Sequence, residues 1–342
     1  MNDHPPAPGP ADVPAVLTTG VGSWPGTDVR EALRVVRGRL VEGAPEGVRG
    51  VPYLPELPAR GPGAGLVGRS AHLLIDLPVD LQPQGWRLVD HPGRDAERAG
   101  SWWRQDLDEL AEALEGYAGP LKVQVAGPWT LAASLWKPLG DRVLSDPGAV
   151  RDLADSLAEG IDAHLSRVQT LVPGAELVLQ VDEPSLGAVL LGRIRSDSGY
   201  RTLPAPDRGE AVDALARVLT QPRATSAGVH SCAGRPPVDV LVDAGADFLA
   251  LDVAQLRTAG WDRVASAVED GVRLWAGLDL AATDPTALLL TRWSELGLTR
   301  RALAEIGVTP TCGLAGSTPE QASRLTGAAV QVAARLAETA AG

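Results

Sequence analysis

Cysteine is scarce in this sequence: the 342 residues contain only two, Cys232 and Cys312, which excludes a disulfide framework. No apolar run approaches the ~20 residues of a membrane span, and residues 1–14 lack the apolar centre of a signal peptide. Basic residues are outnumbered, since 31 Lys and Arg face 43 Asp and Glu for a net charge of −12. We therefore expect a cytoplasmic protein with neither nucleic acid nor membrane as a partner.

The chain is expected to form one domain. Residues 1–14 are rich in Pro, Asp and Ala and predict a disordered tail, which leaves residues 15–342 for the folded part. Short apolar runs predict eight strands, at Val16–Gly22, Val51–Leu54, Lys122–Ala126, Leu177–Val181, Thr225–Val229, Asp247–Leu251, Val272–Gly277 and Gly307–Pro310. Apolar residues spaced three and four apart predict helices at Asp28–Val41, Ser101–Tyr117, Ala149–Leu171, Arg208–Leu219, Arg235–Ala244, Leu256–Glu269, Pro285–Glu305 and Pro319–Ala340.

This alternation predicts an α/β fold, a single (β/α)8 TIM barrel, more than an open doubly wound sheet. The segment Glu56–Gly100 is longer than a βα connection and contains a further apolar run at Leu73–Leu81. It predicts an insertion after the second strand, beside the active site.

The candidate functional residues follow the predicted strands at a regular place. Just beyond the carboxyl ends of strands lie Ser23, Glu56, Gly127, Asp182, His230, Cys232, Asp252 and Cys312. In a parallel barrel these ends converge on one face, which is where such enzymes carry out their chemistry.

The two cysteines and one histidine indicate a metal. His230 and Cys232 point to the same side of an extended segment, and Cys312 would come from the last strand. Zinc favours thiolate and imidazole, and Asp252 is the candidate fourth ligand. The alternative is a buried core histidine with two small buried cysteines, and an Asp252 that only caps a helix.

Carboxylates near the same face indicate substrate binding. Of the adjacent Asp182 and Glu183, one would hold an ammonium group, and the other would pair with a neighbouring arginine or support a metal ligand. A capped turn before Pro184 is the alternative. Ser23, in a tight Gly-Ser turn, and Glu56, between two prolines, are further candidates, although a plain turn and a solvated loop explain them equally well.

These residues give the chain a resemblance to the catalytic, carboxyl-terminal half of cobalamin-independent methionine synthase. The similar runs, in the family's order, are Gly22-Ser23-Trp24-Pro25, Gly127-Pro128-Trp129-Thr130-Leu131, Gln180-Val181-Asp182-Glu183-Pro184, His230-Ser231-Cys232 and Cys312-Gly313-Leu314. The resemblance implies a (β/α)8 barrel, bound Zn2+ and methyl transfer to homocysteine. It implies His230, Cys232 and Cys312 as zinc ligands, Asp182 and Glu56 as contacts of the substrate's ammonium, and Ser23 as the contact of its carboxylate.

The chain departs from that family in three respects. Asp252 stands where the family usually has a glutamate ligand. Asp279, in Leu278-Asp279-Leu280, stands where the family has a catalytic histidine, and is therefore the candidate for proton transfer. The amino-terminal barrel of the long enzymes, which helps to bind folate, is not expected within these 342 residues. The donor is expected to be methyl-folate or a methylcobalamin-carrying corrinoid protein, and the smaller donor site favours the latter.

The sequence therefore predicts a zinc-dependent S-methyltransferase that forms methionine from homocysteine or a similar small thiol. Three alternatives remain at this point. One is a related thiol-alkyl transferase whose substrate has no amino acid end. A decarboxylase of the uroporphyrinogen type shares the barrel but has no use for His230 and two cysteines. The last is a non-catalytic zinc- or thiol-binding barrel, which the absent histidine would favour.

Overall fold

The computed structural model describes residues 15–342, and the predicted tail at residues 1–14 lies outside them. The strands of this part of the chain are β1 (Val16–Thr18), β2 (Val48–Gly50), β3 (Val79–Gln82), β4 (Gly85–Leu88), β5 (Ala118–Ala126), β6 (Gly174–Asp182), β7 (Ser226–Ser231), β8 (Phe248–Asp252), β9 (Arg273–Leu278) and β10 (Gly307–Pro310).

Eight of these strands form one parallel sheet in the order β2-β1-β10-β9-β8-β7-β6-β5. The two outer strands of this order are also connected, through the residues that follow β2. The Lys122 amide of β5 donates to the Pro52 carbonyl at 2.9 Å, and the Leu54 amide donates to the Lys122 carbonyl at 3.3 Å. The α/β class and the eight parallel strands predicted from the sequence are confirmed.

Helices alternate with the strands. They are α1 (Val29–Leu40), α2 (Leu66–Ala71), α3 (Arg94–Ala113), α4 (Pro128–Ser134), α5 (Pro147–Leu171), α6 (Leu186–Leu190), α7 (Arg208–Leu219), α8 (Val238–Asp243), α9 (Thr258–Glu269), α10 (Ala287–Glu295) and α11 (Pro319–Ala341). Side-chain caps fix several starts: Asp28 accepts from the Glu31 amide before α1, and Thr318 and Gln321 form a capping box at α11.

Some predicted boundaries were wrong. The second strand lies at β2, before the predicted Val51–Leu54, and α3 begins at Arg94 instead of Ser101. The helix predicted over Pro285–Glu305 ends at Glu295, because Gly297 adopts a positive φ of 73° and terminates it; a 3-10 turn follows at Arg300–Glu305.

Between β2 and α3 the chain forms two 3-10 turns, α2 and the antiparallel hairpin β3–β4. An insertion at this place stays a prediction. Among residues 15–342, no helix has both the length and the apolar character that crossing a membrane requires.

Apolar residues pack on both faces of the sheet, as parallel sheets require. The larger cluster lies between the strands and the helices. A smaller one lies on the opposite face and joins Val178, Phe248, Ala250 and Trp275, with the Phe248 and Trp275 rings stacked at 3.7 Å between centroids. Polar side chains continue this inner face toward the carboxyl ends of the strands, where the candidate site lies.

Candidate active site

The residues predicted for the site lie at the carboxyl edge of the parallel sheet. Asp182 and Asp252 end β6 and β8, and His230 is the penultimate residue of β7. Residues that follow β1, β2, β7, β9 and β10 are Ser23, Glu56, Cys232, Asp279 and Cys312, respectively. All eight residues therefore lie at one edge of the sheet. Seven of them were expected there from their positions after the predicted strands, and Asp279 from the family resemblance.

Ser23 and Glu56 are held together by backbone bonds. They form a parallel bridge, in which the Glu56 amide donates to the Gly22 carbonyl at 3.1 Å and the Trp24 amide donates to the Glu56 carbonyl at 2.7 Å. The Leu314 amide donates to the Ser23 carbonyl at 2.9 Å. Ser23 Oγ lies so close to Gly313 that a Cβ added there would be 2.0 Å away. Ser23 is thus in contact with the loop that carries Cys312.

His230 and Asp182 form a buried pair. They are register partners on neighbouring strands, and His230 Nδ1 lies 2.8 Å from Asp182 Oδ1. The same oxygen accepts a hydrogen bond of 2.8 Å from Gln180 Nε2. Asp182 therefore favours the tautomer of His230 with hydrogen on Nδ1, and leaves the Nε2 lone pair free. His230 Nε2 is buried and has no hydrogen-bond partner among residues 15–342.

The two thiols meet at the same edge. Cys232 Sγ and Cys312 Sγ are 3.3 Å apart, although their strands β7 and β10 are separated in the sheet by β8 and β9. The hydrogen bond between the two thiols lowers the pKa of Cys312 and raises the pKa of Cys232, because the pair holds one proton more readily than none.

Two predicted residues make local contacts instead. Asp252 Oδ1 accepts a hydrogen bond of 3.0 Å from the Ala254 amide and caps a 3-10 turn, which is the alternative weighed for it from the sequence. The exposed Asp279 accepts from the Ala281 amide at 3.1 Å. Within residues 15–342, no three His, Cys, Asp or Glu side chains form a cluster that could hold a metal ion. The four-residue metal set therefore stays a prediction.

Glu183 turns away from the site. Its Oε1 accepts from the Trp129 amide at 2.8 Å, and its Oε2 accepts from the amide and the hydroxyl of Thr130 at 2.9 and 2.7 Å. Burial nevertheless raises the pKa of Glu183 to about 7. Glu183 thus fixes the first turn of α4 to the end of β6, a role that the sequence did not reveal.

Burial shifts two more charged groups beside the site. Glu56 is 4% exposed. Burial, and then the charge of Asp182, raises the pKa of Glu56 to about 7 against the lowering effect of Arg69. Burial lowers the pKa of Lys122 to about 8, and the charges of Asp182 and Glu56 oppose that shift.

Three polar residues below the site were not predicted as part of it, namely Lys122, Gln124 and Gln180. All three are buried, and they alternate with apolar residues along β5 and β6. This period of two was a usable signal, because it places the polar side chains of each strand on one face of the sheet. Because the residues between them are apolar, the two runs were interpreted only as strands buried in the core.

The chain is similar to one protein family over nearly its whole length. Residues 16–335 match the family described as cobalamin-independent synthase, catalytic domain. No curated protein matches the sequence.

Among solved structures, 43 chains match. One is a B12-independent methionine synthase from Shewanella sp. W3-18-1 in complex with selenomethionine, at 11% identity and a TM-score of 0.47. The match covers 68% of the present chain and 66% of that chain, just under two thirds of its length. At this identity, a structural likeness does not extend to function.

Proposed function

The chain belongs to the family of cobalamin-independent synthases, whose catalytic domain it matches, and we propose that it transfers a methyl group to the sulfur of homocysteine. We further propose that residues 15–342 form one closed (β/α)8 barrel. The bonds from Pro52 and Leu54 to Lys122 support the closure, because they join the two edges of the parallel sheet.

One observation carries the proposal. In the part of the chain that the structure describes, His230 Nε2 is buried without a partner, while the other ring nitrogen is held by Asp182. Histidines that bind metals are oriented in this way, with the second nitrogen bonded to a carboxylate. A buried ring nitrogen without a partner is costly in a purely structural role.

The donor set also fits zinc. Two thiolates on one tetrahedral zinc, with bonds of ~2.3 Å, lie ~3.8 Å apart. The sulfur atoms of Cys232 and Cys312 are 3.3 Å apart, so a small adjustment suffices. We propose that His230, Cys232 and Cys312 hold Zn2+, with Asp252 as the fourth ligand after release of its cap. Bound zinc would keep the thiol of the substrate ionised at neutral pH.

Three residues would orient homocysteine. Ser23 would contact its carboxylate, while Glu56 and Asp182 would face its ammonium group. Asp182 would do so with Oδ2, because Oδ1 already accepts bonds from His230 and Gln180. Asp279, exposed at the end of β9, is the proposed group for proton transfer to the leaving group, which is the donor without its methyl group. A carboxylate at that place can act as an acid or base only within reach of the donor.

The family and the sequence point to different methyl donors. A family that functions without cobalamin argues against the corrinoid protein that we expected from the sequence. The test must therefore supply methyl-folate and methylcobalamin separately.

The experiment measures methionine formed from homocysteine with each donor, with zinc supplied. We expect turnover with one donor, and a loss of at least 100-fold in Cys232→Ser and in Cys312→Ser. Asp252→Ala is the softer change, because water can replace a carboxylate ligand. Calorimetry should show that homocysteine binds more tightly than a thiol without the amino acid end. No methionine with either donor, together with no preference for homocysteine, would contradict the proposal.

A further inference from the structure

The chain contains only two lysines among its 31 basic residues, and one of them lies inside the fold. Lys122, in the middle of β5, is completely buried. Lys137 lies in a loop after α4, and its side chain is 25% exposed, with Nζ 3.9 Å from Asp146 Oδ2. A buried ammonium group is unfavourable unless neighbouring groups compensate it, so the contacts of Lys122 need an explanation.

The contacts of Lys122 lead toward two loops of the candidate site. Its Nζ donates to the Val21 carbonyl at 2.8 Å and to Gln124 Oε1 at 3.2 Å. It also lies 5.1 Å from the centre of the Tyr53 ring. These three partners belong to the segments after β1 and β2 and to β5 itself.

The first path leads from Lys122 to Ser23 and His230. The Val21 carbonyl, two residues before Ser23, also accepts a bond of 2.8 Å from Gln180 Nε2. Gln180 Nε2 lies 2.8 Å from Asp182 Oδ1 as well, and that oxygen binds His230 Nδ1. A chain of buried hydrogen bonds therefore connects the ammonium group to the imidazole.

The second path leads to Glu56. Gln124 uses its oxygen for Lys122 and donates from Nε2 to the Leu54 carbonyl at 2.7 Å, two residues before Glu56. The Gln124 side chain also packs against Gly22, where an added Cβ would lie 2.8 Å from Gln124 Cγ. The same side chain thus supports the segment that carries Ser23.

We propose that Lys122 is the positioning residue of this site, whose buried ammonium group holds the Ser23 loop, the Glu56 loop and the Asp182–His230 pair in register. Its positive charge also offsets the carboxylates of Asp182 and Glu56. The geometry suits an ammonium group, a compact donor that can reach a carbonyl and an amide oxygen at once. The inference rests on the proposed function, because it takes the site to be the one that binds homocysteine.

The test compares Lys122→Met with Lys137→Met, which removes the only other lysine. Calorimetry measures homocysteine affinity on zinc-loaded protein. We expect Kd to rise at least tenfold for Lys122→Met and to stay within twofold for Lys137→Met. An unchanged Kd in a folded Lys122→Met protein would overturn the inference.

A second measurement does not depend on homocysteine. Long-range 15N–1H spectra of metal-free protein report the tautomer of each histidine, and His230→Gln identifies the His230 signal by its loss. We expect a single tautomer with hydrogen on Nδ1 in the wild type and in Lys137→Met, and a mixture of tautomers in Lys122→Met. A wild-type spectrum in Lys122→Met would count against the inference. Wild-type protein that binds no homocysteine would instead refute the proposed function, and the tautomer would still decide the role of Lys122.

Gln124→Leu keeps the inference testable if Lys122→Met does not fold. This variant removes the Lys122 contact with Gln124 and the bond to the Leu54 carbonyl, and leaves the hydrogen bonds through Val21 and Gln180 to Asp182 in place. We therefore expect weaker homocysteine binding, by at least threefold, with an unchanged His230 tautomer. Wild-type affinity in Gln124→Leu would overturn the second path and with it the proposed role of Lys122.

Discussion

Glu56 combines a proposed role in binding with an unfavourable place in the folded protein. Its carboxyl group is buried beside Asp182, and its pKa is raised to about 7. At pH values between the ordinary pKa of 4.5 and this raised pKa, Glu56 keeps its proton in the folded protein and loses it in the unfolded chain. Stability contributed by this group is therefore complete below pH 4.5 and is lost as the pH rises to about 7.

We expect Glu56→Gln to make the protein more stable at pH 8 by up to roughly 3 kcal/mol, and to change little at pH 4.5. The amide keeps the shape of the side chain but has no charge to bury, which explains the gain in stability. The same loss of charge should weaken homocysteine binding. Urea unfolding at both pH values measures the free energy. Glu159→Gln, on the exposed face of α5, is the control and should show no such pH dependence. A Glu56→Gln protein that follows the wild type at every pH would contradict this account.

At the scale of elements, Gly297 determines where α10 ends. Its φ of 73° lies in the left-handed region, and the Leu298 amide donates back to the Trp293 carbonyl at 3.2 Å. An added Cβ would meet no atom of the described residues within 4 Å, so among them only the backbone conformation resists a side chain here.

We expect Gly297→Ala to lower the free energy of unfolding by about 1–2 kcal/mol, the cost of a left-handed conformation with a Cβ. Gly316→Ala is the matched control, because it also has open space around it but no left-handed φ. That variant should be neutral or slightly stabilising, by up to about 1 kcal/mol. Equal unfolding midpoints for the two variants in urea would show that the turn does not fix the helix end.

Seven of the eight strands of the parallel sheet could be predicted from the sequence, because each contains a short, mostly apolar run that is largely buried. The exception is β2, which is half-buried and contains Arg49. Every predicted strand except the second overlaps a strand of the sheet. Helix ends were harder, since they depend on the conformation of single residues such as Gly297. The hairpin β3–β4 was missed because its two strands are only four residues long, although each alternates between apolar and polar residues, and because β3 begins inside the longer apolar run Leu73–Leu81.

The site could be predicted only as a set of strand ends. Ser23, Glu56, Asp182, His230, Cys232 and Cys312 lie there because parallel strands share a carboxyl edge. The partners of these residues could not be predicted, because they depend on register and on side-chain direction. Asp182 meets His230 because the two are paired across β6 and β7, and Asp252 accepts instead from the backbone amide of Ala254.

At the scale of the whole molecule, the proposed zinc would connect distant parts of the sheet. Cys232 follows β7 and Cys312 follows β10, with two strands between them. In sequence these residues are 80 positions apart. A metal bound to both would hold the sheet together across its carboxyl edge in the folded state only.

We therefore expect zinc to stabilise the wild-type protein against heat. A ligand that binds only the folded state stabilises it by about 4 kcal/mol at 1,000 times its Kd, less any binding of zinc to the unfolded chain. Tm should rise on adding Zn2+, fall again with a chelator and stay constant with Mg2+, which prefers oxygen ligands. Scanning calorimetry and metal analysis should show that Cys232→Ser and Cys312→Ser each lose both the bound zinc and the increase in Tm, while Asp252→Ala keeps part of them.

Because Zn2+ and Mg2+ carry the same charge, a rise in Tm with Mg2+ as large as that with Zn2+ would indicate general screening of the acidic surface. A rise that persists in both cysteine variants would place the metal elsewhere.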